Sequence, residues 1–261
     1  MKFTPKFFYY NTPEWKRKKD PLICKVIYRP ISFVIASGLA NVGVSANAVS
    51  YFSILIAILS SLFFLRGGYE SNIIAAVLLN FWLILDCVDG NLARSVKKQA
   101  FGEFADAISG YILTGLTCIS IGFSVFNTGG IVFDKNNEWI LLFGGIASIS
   151  DLLMRLIYQK YRATLRDLVE NGFKVDKDDG HGRNSRNNSI KTRIEETLGF
   201  GGILPILVLI AALFETLDVI VVYCALYFGA ACFVMCLQYI LKAIRNEKNL
   251  IMEDIRDEDN N

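Results

Sequence analysis

The sequence lacks the residue patterns that mark a zinc protein, a disulfide-stapled domain or a calcium loop. Its six cysteines lie mostly inside apolar runs and show no zinc-type spacing. The single histidine, His181, lies in a polar stretch and is not expected to be catalytic. The acidic run at 176–179 lacks the closing glutamate of a calcium-binding loop. We therefore expect free cysteines that pack in a core, and a function that depends on other residues.

The N-terminal residues also lack the apolar centre of a signal peptide, because residues 1–20 are aromatic and basic. Residues 21–28 alternate apolar and basic positions, which is typical of an amphipathic helix on an anionic membrane surface. A solvated tail is the alternative interpretation. We expect residues 1–45 to form an N-terminal cytoplasmic and juxtamembrane segment, with 31–45 as a short surface or re-entrant stretch.

Long apolar runs dominate the rest of the chain, which is 53% hydrophobic over its 261 residues. A hydrocarbon layer of about 30 Å needs a helix of about 20 apolar residues. The sequence predicts an all-α integral membrane protein with six transmembrane helices preceded by an amphipathic juxtamembrane helix. The membrane domain occupies 46–241 and a cytoplasmic tail, expected to be partly disordered, occupies 242–261. The predicted spans are 46–65, 72–94, 103–126, 137–159, 199–215 (with a possible kink at Pro205) and 218–241.

Basic residues predict the orientation of these spans. With the N-terminus inside, all but two of the 27 Lys and Arg residues lie on the inner side, and only Arg66 and Lys135 lie outside. Both termini and the polar loop 160–195 are then cytoplasmic, in an inner membrane of bacterial or archaeal type. That basic loop covers a pocket, recruits an anionic acceptor, or simply faces solvent and lipid headgroups.

Three carboxylates lie where apolar runs meet. Asp86 and Asp89 are three residues apart and share a helix face, and Asp106 begins the next apolar run. A helical hairpin brings all three together, and a hard divalent cation, Mg²⁺ or Mn²⁺, relieves their repulsion because it prefers oxygen ligands. Asp86 lies 14 residues after Asn72, or about 21 Å along its helix. The site is therefore expected inside the protein and open to the cytoplasm.

Two glycines and an arginine accompany the carboxylates. Gly90 and Gly102 leave the backbone open to a bulky ligand. Arg94 offers a planar donor fork that suits phosphate. A cation, an arginine and bare backbone together indicate a diphosphate ligand. The alternative is a set of ion-paired helix ends with packing glycines.

Residues 86–110 resemble the signature of the CDP-alcohol phosphotransferases, also called the CDP-alcohol phosphatidyltransferase family. The family pattern is D-x-x-D-G-x-x-A-R, a short spacer, and G-x-x-x-D-x-x-x-D. The spacer here is 95–101, and the matching residues are Asp86, Asp89, Gly90, Ala93, Arg94, Gly102 and Asp106. An Arg-Pro pair after the surface helix, Arg29-Pro30, also matches. The last aspartate, which the resemblance implies is a general base and helps to hold a metal, is replaced by Gly110.

The resemblance implies a membrane enzyme, a transferase of substituted phosphate groups. It would move the phospho-alcohol group of a CDP-alcohol to an acceptor and release CMP, in phospholipid or phospho- or phosphonoglycan synthesis. Its cofactor is Mg²⁺ or Mn²⁺, and its partners are the CDP-alcohol, an acceptor alcohol or anionic acceptor, membrane lipids and a second copy in a homodimer, but no nucleic acid. The implied metal ligands are Asp86, Asp89 and Asp106, and the implied nucleotide-binding residues are Gly90, Ala93, Arg94 and Gly102.

The glycine at position 110 leaves three interpretations open. Glu103 or Asp151 replaces the missing base beside Asp106, or the acceptor is a phosphate or phosphonate oxygen acidic enough to need no strong base. Alternatively the chain is catalytically impaired and serves as a CDP-binding partner of an active subunit. A transporter is a further alternative, disfavoured because its polar residues should lie at the membrane midplane.

Two polar pairs carry further predictions. Asn47 and Ser50 match an Asn-x-x-Thr or Ser element of the family and either help to bind nucleotide or cap a helix. Asp151 and Arg155, four residues apart, either clasp each other or bind the acceptor substrate through Arg155. Small residues at 225, 229 and 230 suit either a dimer face or packing within the chain.

Overall fold

The computed structural model describes residues 2–173 and 198–259, the stretch 249–259 as backbone only. Within these ranges every regular element is a helix. The N-terminal segment contains three short α-helices and a single π-helical turn, Cys24–Tyr28, and it ends where the first long helix begins. The three helices are α1 (Pro5–Asn11), α2 (Glu14–Lys19) and α3 (Arg29–Asn41).

Five helices in the described ranges are long and apolar enough to cross a membrane, so the chain is an integral membrane protein. The first begins at the N-cap Ser45, whose hydroxyl accepts a hydrogen bond from the Ala48 amide, and it ends at Gly67 with a φ of 70°. The predicted all-α membrane architecture is confirmed. The five helices are α4 (Ala46–Arg66), α5 (Tyr69–Ser95), α6 (Gly102–Thr128), α7 (Trp139–Glu170) and α9 (Leu217–Asp259).

The predicted fifth span, 199–215, is the shorter helix α8 (Leu204–Leu213), whose 10 residues measure about 15 Å. The chain before Leu204 forms turns instead, and the Cys24 thiol donates a hydrogen bond to the Gly201 carbonyl there. The predicted kink is wrong, because Pro205 lies in the first helical turn, where no backbone donor is needed.

The helices α7 and α9 extend well beyond their predicted ends. Residues 160–170 continue α7 rather than forming a loop, and the backbone of 242–259 continues α9 rather than being disordered. The two overhanging stretches support each other, because the Asn246 amide donates to the Tyr161 hydroxyl at 3.1 Å. The Tyr161 and Tyr239 rings also pack with centroids 4.8 Å apart. The rest of the predicted loop, 174–195, lies outside the described residues.

The helices pack closely where small residues meet. A Cβ added to Gly144 of α7 would lie 2.9 Å from the Cys118 carbonyl oxygen of α6, so the two backbones touch there. Helix α4 packs against both α5 and α6, and α7 packs against α6 and α9. All six cysteines are free thiols, and five of them are buried, as predicted for core residues.

A buried carboxylate ties the start of α9 to the loop between α6 and α7. Asp218 is fully buried and accepts hydrogen bonds from the backbone amides of Val132 and Phe133. These amides lie far from the turn between α5 and α6, where the three motif carboxylates meet.

Candidate active site at the hairpin of α5 and α6

The carboxylates of Asp86, Asp89 and Asp106 come together at the end of the bundle where α5 finishes and α6 starts. One oxygen from each lies within 4.8 Å of the others, and this group is the one cluster of potential metal ligands in the described part of the chain. Asp86 and Asp89 share a face of α5, as their spacing predicts. The connection 96–101 is short enough to place Asp106 in the first turns of α6 beside them.

The three carboxylates differ in solvent exposure, so the site extends from the protein core to the solvent. Asp89 is buried, Asp86 is partly buried, and Asp106 is exposed. Ser50 of α4 donates a hydrogen bond to Asp89 at 2.6 Å and thereby fixes one carboxylate oxygen. An all-oxygen donor set with one ordered member and one solvent-facing member fits Mg²⁺ or Mn²⁺.

Arg94 lies directly on the backbone of Gly90. A Cβ added to Gly90 would stand 2.8 Å and 2.9 Å from the two terminal guanidinium nitrogens of Arg94. The glycine is therefore required for this arginine position, and not only for the approach of a ligand. Arg94 is an exposed residue, and its guanidinium donates to the Asn91 side-chain oxygen at 3.3 Å. It remains available to a phosphate oxygen beside the carboxylates.

Asn47 leaves a buried hydrogen-bond acceptor without a partner among the described residues. Its side-chain oxygen is fully enclosed and lies 3.5 Å from the position of a Cβ on Gly102. Its backbone amide is occupied, because it donates to the Gln99 side chain. Buried acceptors in folded proteins are almost always paired, so this oxygen indicates a place where a ligand donor fits.

Arg155 approaches the position at which the family motif has its last aspartate. A Cβ added to Gly110 would lie 3.8 Å from a terminal nitrogen of Arg155. The arginine donates through Nε to the buried Asp151 at 2.9 Å, and its guanidinium lies 5.7 Å from the centroid of the Tyr111 ring. The clasp between Asp151 and Arg155 is therefore present, and it leaves part of the guanidinium directed towards residue 110.

The two predicted replacement bases do not join the carboxylate cluster. Glu103 is exposed and its carboxylate lies 3.5 Å from the ammonium of Lys98. Asp151 is held by Arg155. Neither is part of the group formed by the three motif carboxylates.

The structure adds contacts to the site that sequence reasoning missed. Arg29 of α3 is buried and donates to the Asn91 side-chain oxygen at 3.1 Å, the same atom that receives Arg94. The Asn91 amide nitrogen in turn donates to Ser32 at 3.0 Å. One available signal was the spacing of Asn91 and Arg94, since residues three apart share a helix face. Nothing local connects Arg29 to Asn91, which lies 62 positions away.

No curated protein matches the chain in a sequence search. A family model described as CDP-alcohol phosphatidyltransferase matches residues 43–231. The matched region begins just before α4, contains the whole hairpin with its three carboxylates, and ends within α9. By this match, which covers most of its length, the chain belongs to the CDP-alcohol phosphatidyltransferase family.

Proposed function

We propose that the protein transfers the phospho-alcohol group of a CDP-alcohol to an acceptor and releases CMP, with dependence on a divalent cation. The observation that carries the proposal is the cluster of Asp86, Asp89 and Asp106, whose carboxylate oxygens lie within 4.8 Å of one another. Beside it the guanidinium of Arg94 lies against the backbone of Gly90. Membership of the family supports the reaction class. With a hydroxyl acceptor the product is a phosphodiester of the kind used in membrane lipids or phosphoglycans, and with the ionised oxygen of a phosphate or phosphonate acceptor it is a phosphoanhydride.

Each residue of the site has its own role in binding a nucleotide diphosphate. Asp86, Asp89 and Asp106 would hold the cation, which when bound would neutralise diphosphate charge and make CMP a better leaving group. Arg94 pairs with a phosphate oxygen through its planar fork. The unpartnered oxygen of Asn47 accepts a hydrogen bond from an amine of the ligand, and the exocyclic amine of cytosine has the required chemistry.

The transfer step is a substitution at phosphorus. An acceptor oxygen forms a bond to the phosphorus that carries the alcohol, and the bond from that phosphorus to the CMP oxygen breaks. The proton of a hydroxyl acceptor passes to solvent or a nearby base, whereas an acceptor oxygen that is already ionised has no proton to lose. Asp106 is the exposed carboxylate of the cluster and the one best placed to receive that proton when an oxygen is free.

We infer that the acceptor is anionic, such as a phosphate or phosphonate monoester. Gly110 removes a fourth negative charge from the neighbourhood of Asp106, and a guanidinium nitrogen of Arg155 points to the vacated position. Such an acceptor oxygen is already ionised near neutral pH and needs no strong base. The phosphoglycan and phosphonoglycan acceptors fit this chemistry, and a simple neutral alcohol fits it less well.

For the orientation and the assembly of the chain we propose what the sequence predicts. The positive-inside rule favours a cytoplasmic site, with the N-terminal segment and the end of α9 on the same side. The apolar outer faces of α7 and α9 suit lipid contact or a second copy of the chain in a homodimer.

The test is a CMP-release assay on the purified full chain in lipid nanodiscs. CDP-diacylglycerol and a CDP-linked small alcohol are each offered with neutral and anionic acceptors, with and without Mn²⁺ or Mg²⁺. Release of CMP that requires both a divalent cation and an acceptor is the expected result. Release without any cation would overturn the proposal.

Gly110 also favours a second candidate function, that of a catalytically impaired CDP-binding subunit. The same assay separates the two candidates. A chain that binds CDP with Mn²⁺ but releases no CMP with any acceptor is the binding partner, and the transfer proposal is then wrong.

A further inference from the structure

Two arginines share one side-chain oxygen at the end of α5. The Oδ1 atom of Asn91 accepts a hydrogen bond from Arg94 at 3.3 Å and another from Arg29 at 3.1 Å. An amide oxygen can accept both because it has two lone pairs. Arg29 and Asn91 are buried, whereas Arg94 is exposed. The arginine that we assign to a phosphate therefore has a buried contact behind it, and that contact is shared with the N-terminal segment.

The amide group of Asn91 is held in this orientation from its other side. Its nitrogen donates to the Ser32 hydroxyl at 3.0 Å, and Ser32 donates in turn to the backbone oxygen of Arg29 at 2.9 Å. A reversed amide would turn its own N–H groups towards two guanidinium groups, which offer no acceptor. The oxygen of Asn91 is therefore directed towards the two arginines.

Arg29 is itself fixed by Asp20, the residue that follows α2. Its Nε donates to one carboxylate oxygen at 2.8 Å, and a terminal nitrogen donates to the other oxygen at 3.2 Å. This paired geometry restricts a guanidinium more than a single hydrogen bond does. The carboxylate also balances the charge of the buried arginine, and this reduces the repulsion between the two guanidinium groups that meet at Asn91.

The contact with Asn91 limits the freedom of a long side chain before any ligand binds. An arginine loses rotamer entropy when a phosphate fixes it, and this loss weakens binding. The guanidinium of Arg94 already lies against Gly90, where an added Cβ would be 2.8 Å from a terminal nitrogen. The hydrogen bond to Asn91 holds it there, so part of the ordering precedes the ligand.

We propose that Asn91 and Arg29 are positioning residues that hold Arg94 in place to bind a phosphate of the nucleotide. The inference rests on the proposed function. It gives a part in nucleotide binding to Arg29, which lies outside the family-matched region 43–231. The alternative is that these contacts only fasten the N-terminal segment to α5.

Tyr28 provides the comparison, because it fastens the same segment to the same helix far from Arg94. Its hydroxyl donates to the Asn80 side-chain oxygen at 2.6 Å, and the Asn80 nitrogen donates to the Pro205 carbonyl at 2.8 Å. Asn80 precedes Asn91 by about three helical turns, or about 16 Å along α5. Tyr28→Phe therefore weakens the attachment of the segment without removing a contact of Arg94.

The experiment measures CDP binding by Arg29→Met and Tyr28→Phe, each alone and combined with Arg94→Gln. The full chain is used in phosphatidylcholine nanodiscs, and the dissociation constant of CDP is measured by calorimetry with Mn²⁺ present. Methionine fills the buried space of the arginine stem, and Lys16 keeps Asp20 paired at 3.0 Å. Thermal unfolding of each variant in the same nanodiscs reports whether the fold is kept.

We expect Arg94→Gln to weaken CDP binding about tenfold and Arg29→Met about fivefold, whereas Tyr28→Phe changes it less than about twofold. In the Arg94→Gln background we expect Arg29→Met to have almost no further effect, because no guanidinium is left to position. A purely structural role would give the same loss in both backgrounds.

The outcomes separate this inference from the function on which it rests. A loss from Arg29→Met that persists in the Arg94→Gln background, or an equal loss from Tyr28→Phe, overturns the positioning role alone. CDP binding that Arg94→Gln leaves unchanged also overturns it. A wild-type chain that does not bind CDP with Mn²⁺ overturns the proposed function as well. Should Arg29→Met unfold, Asn91→Leu decides in the same two backgrounds, because it removes the shared oxygen at similar volume.

Discussion

At the residue scale, the carboxylates of Asp86 and Asp89 sit three residues apart but have different surroundings. Asp89 is buried and receives the Ser50 hydroxyl, whereas Asp86 is partly open and faces Asp106. Both contribute oxygens to the same 4.8 Å cluster. Removing the charge of either carboxylate would therefore weaken the attraction of the site for a cation.

We expect Asp86→Asn and Asp89→Asn each to abolish the Mn²⁺-dependent part of CDP binding while the protein stays folded. The amide keeps the shape of the side chain but removes its charge, so the fall should exceed tenfold, or about 1.4 kcal/mol. Calorimetric titration with CDP, with and without Mn²⁺, measures it. Asp167→Asn on the exposed face of α7 is the matched control. Unchanged cation dependence in either motif variant would refute the metal assignment.

Gly110 allows a second test at this scale. An aspartate there places its carboxylate next to Arg155, since the Cβ alone comes within 3.8 Å of Nη1. We expect Gly110→Asp to raise the KM of an anionic acceptor at least tenfold and to favour neutral alcohols, because the arginine is neutralised and a like charge is added. Steady-state CMP release with both acceptor classes provides the measurement.

Gly110→Ala is the control for this substitution, because it adds the same Cβ without charge. It should change the KM of either acceptor only slightly. If Gly110→Asp instead raises activity towards every acceptor, the glycine marks a decayed enzyme, and the anionic-acceptor proposal falls.

At the scale of helices, α6 and α7 are held at backbone contact by glycines. A Cβ on Gly144 meets the Cys118 carbonyl oxygen at 2.9 Å and the Ile119 Cα at 3.2 Å, and neither atom is the end of a flexible side chain. The helices would have to separate to admit a methyl group. That separation also moves Arg155 of α7 relative to Gly110 of α6.

We therefore expect Gly144→Ala to destabilise the protein by about 1–3 kcal/mol, the usual cost of overpacking. Gly145→Ala is the matched control, because its Cβ meets nothing within 4 Å and alanine is the better helix former. Thermal unfolding of both variants in detergent gives the comparison. Equal stability of the two variants would show that α6 and α7 separate at no cost.

The sequence predicts a helix well when local properties determine its ends, and poorly when tertiary contacts do. The ends of α4, α5 and α6 and the meeting of the three carboxylates followed from hydropathy and from spacing, because both are local properties. The lengths of α7 and α9 did not follow, since their polar ends are helical partly through contacts such as Asn246 with Tyr161, made across 85 positions. The hydrogen bond from Arg29 to Asn91 could not be predicted either, because only tertiary packing brings the two residues together.

At the scale of the whole molecule, the chain passes repeatedly between two ends of the bundle. Gly67, after α4, lies near Ser124 and Thr128 of α6, whereas Asn47 and Gly102 meet at the other end. Asp218 joins the start of α9 to the loop after α6. The contacts of Arg29 with Asn91 and of Asn246 with Tyr161 place the N-terminal segment and the end of α9 at the same end of the bundle as the candidate site, and we propose that this end faces the cytoplasm.

This topology predicts opposite labelling of two exposed positions. We expect Lys135→Cys to react with a membrane-impermeant maleimide in intact cells and Asn171→Cys to react only after permeabilisation, since the two lie at opposite ends of α7. The native cysteines give a low background because five of the six are buried. Labelling of Asn171→Cys from outside would contradict the cytoplasmic site.

The buried carboxylate of Asp218 has a mechanical consequence for the reaction. It fastens one end of α9 to the loop that leads into α7, and the pairing of Asn246 with Tyr161 fastens the other end. The two long helices are therefore held at both ends, and we expect them to keep their relative position. Arg155 belongs to α7 of this helix pair, whereas Asp86, Asp89 and Asp106 belong to the neighbouring hairpin of α5 and α6. A rigid-body movement of this helix pair would therefore change the distance between Arg155 and the three carboxylates, so the contacts at the two ends of the pair help to fix the geometry of the candidate site.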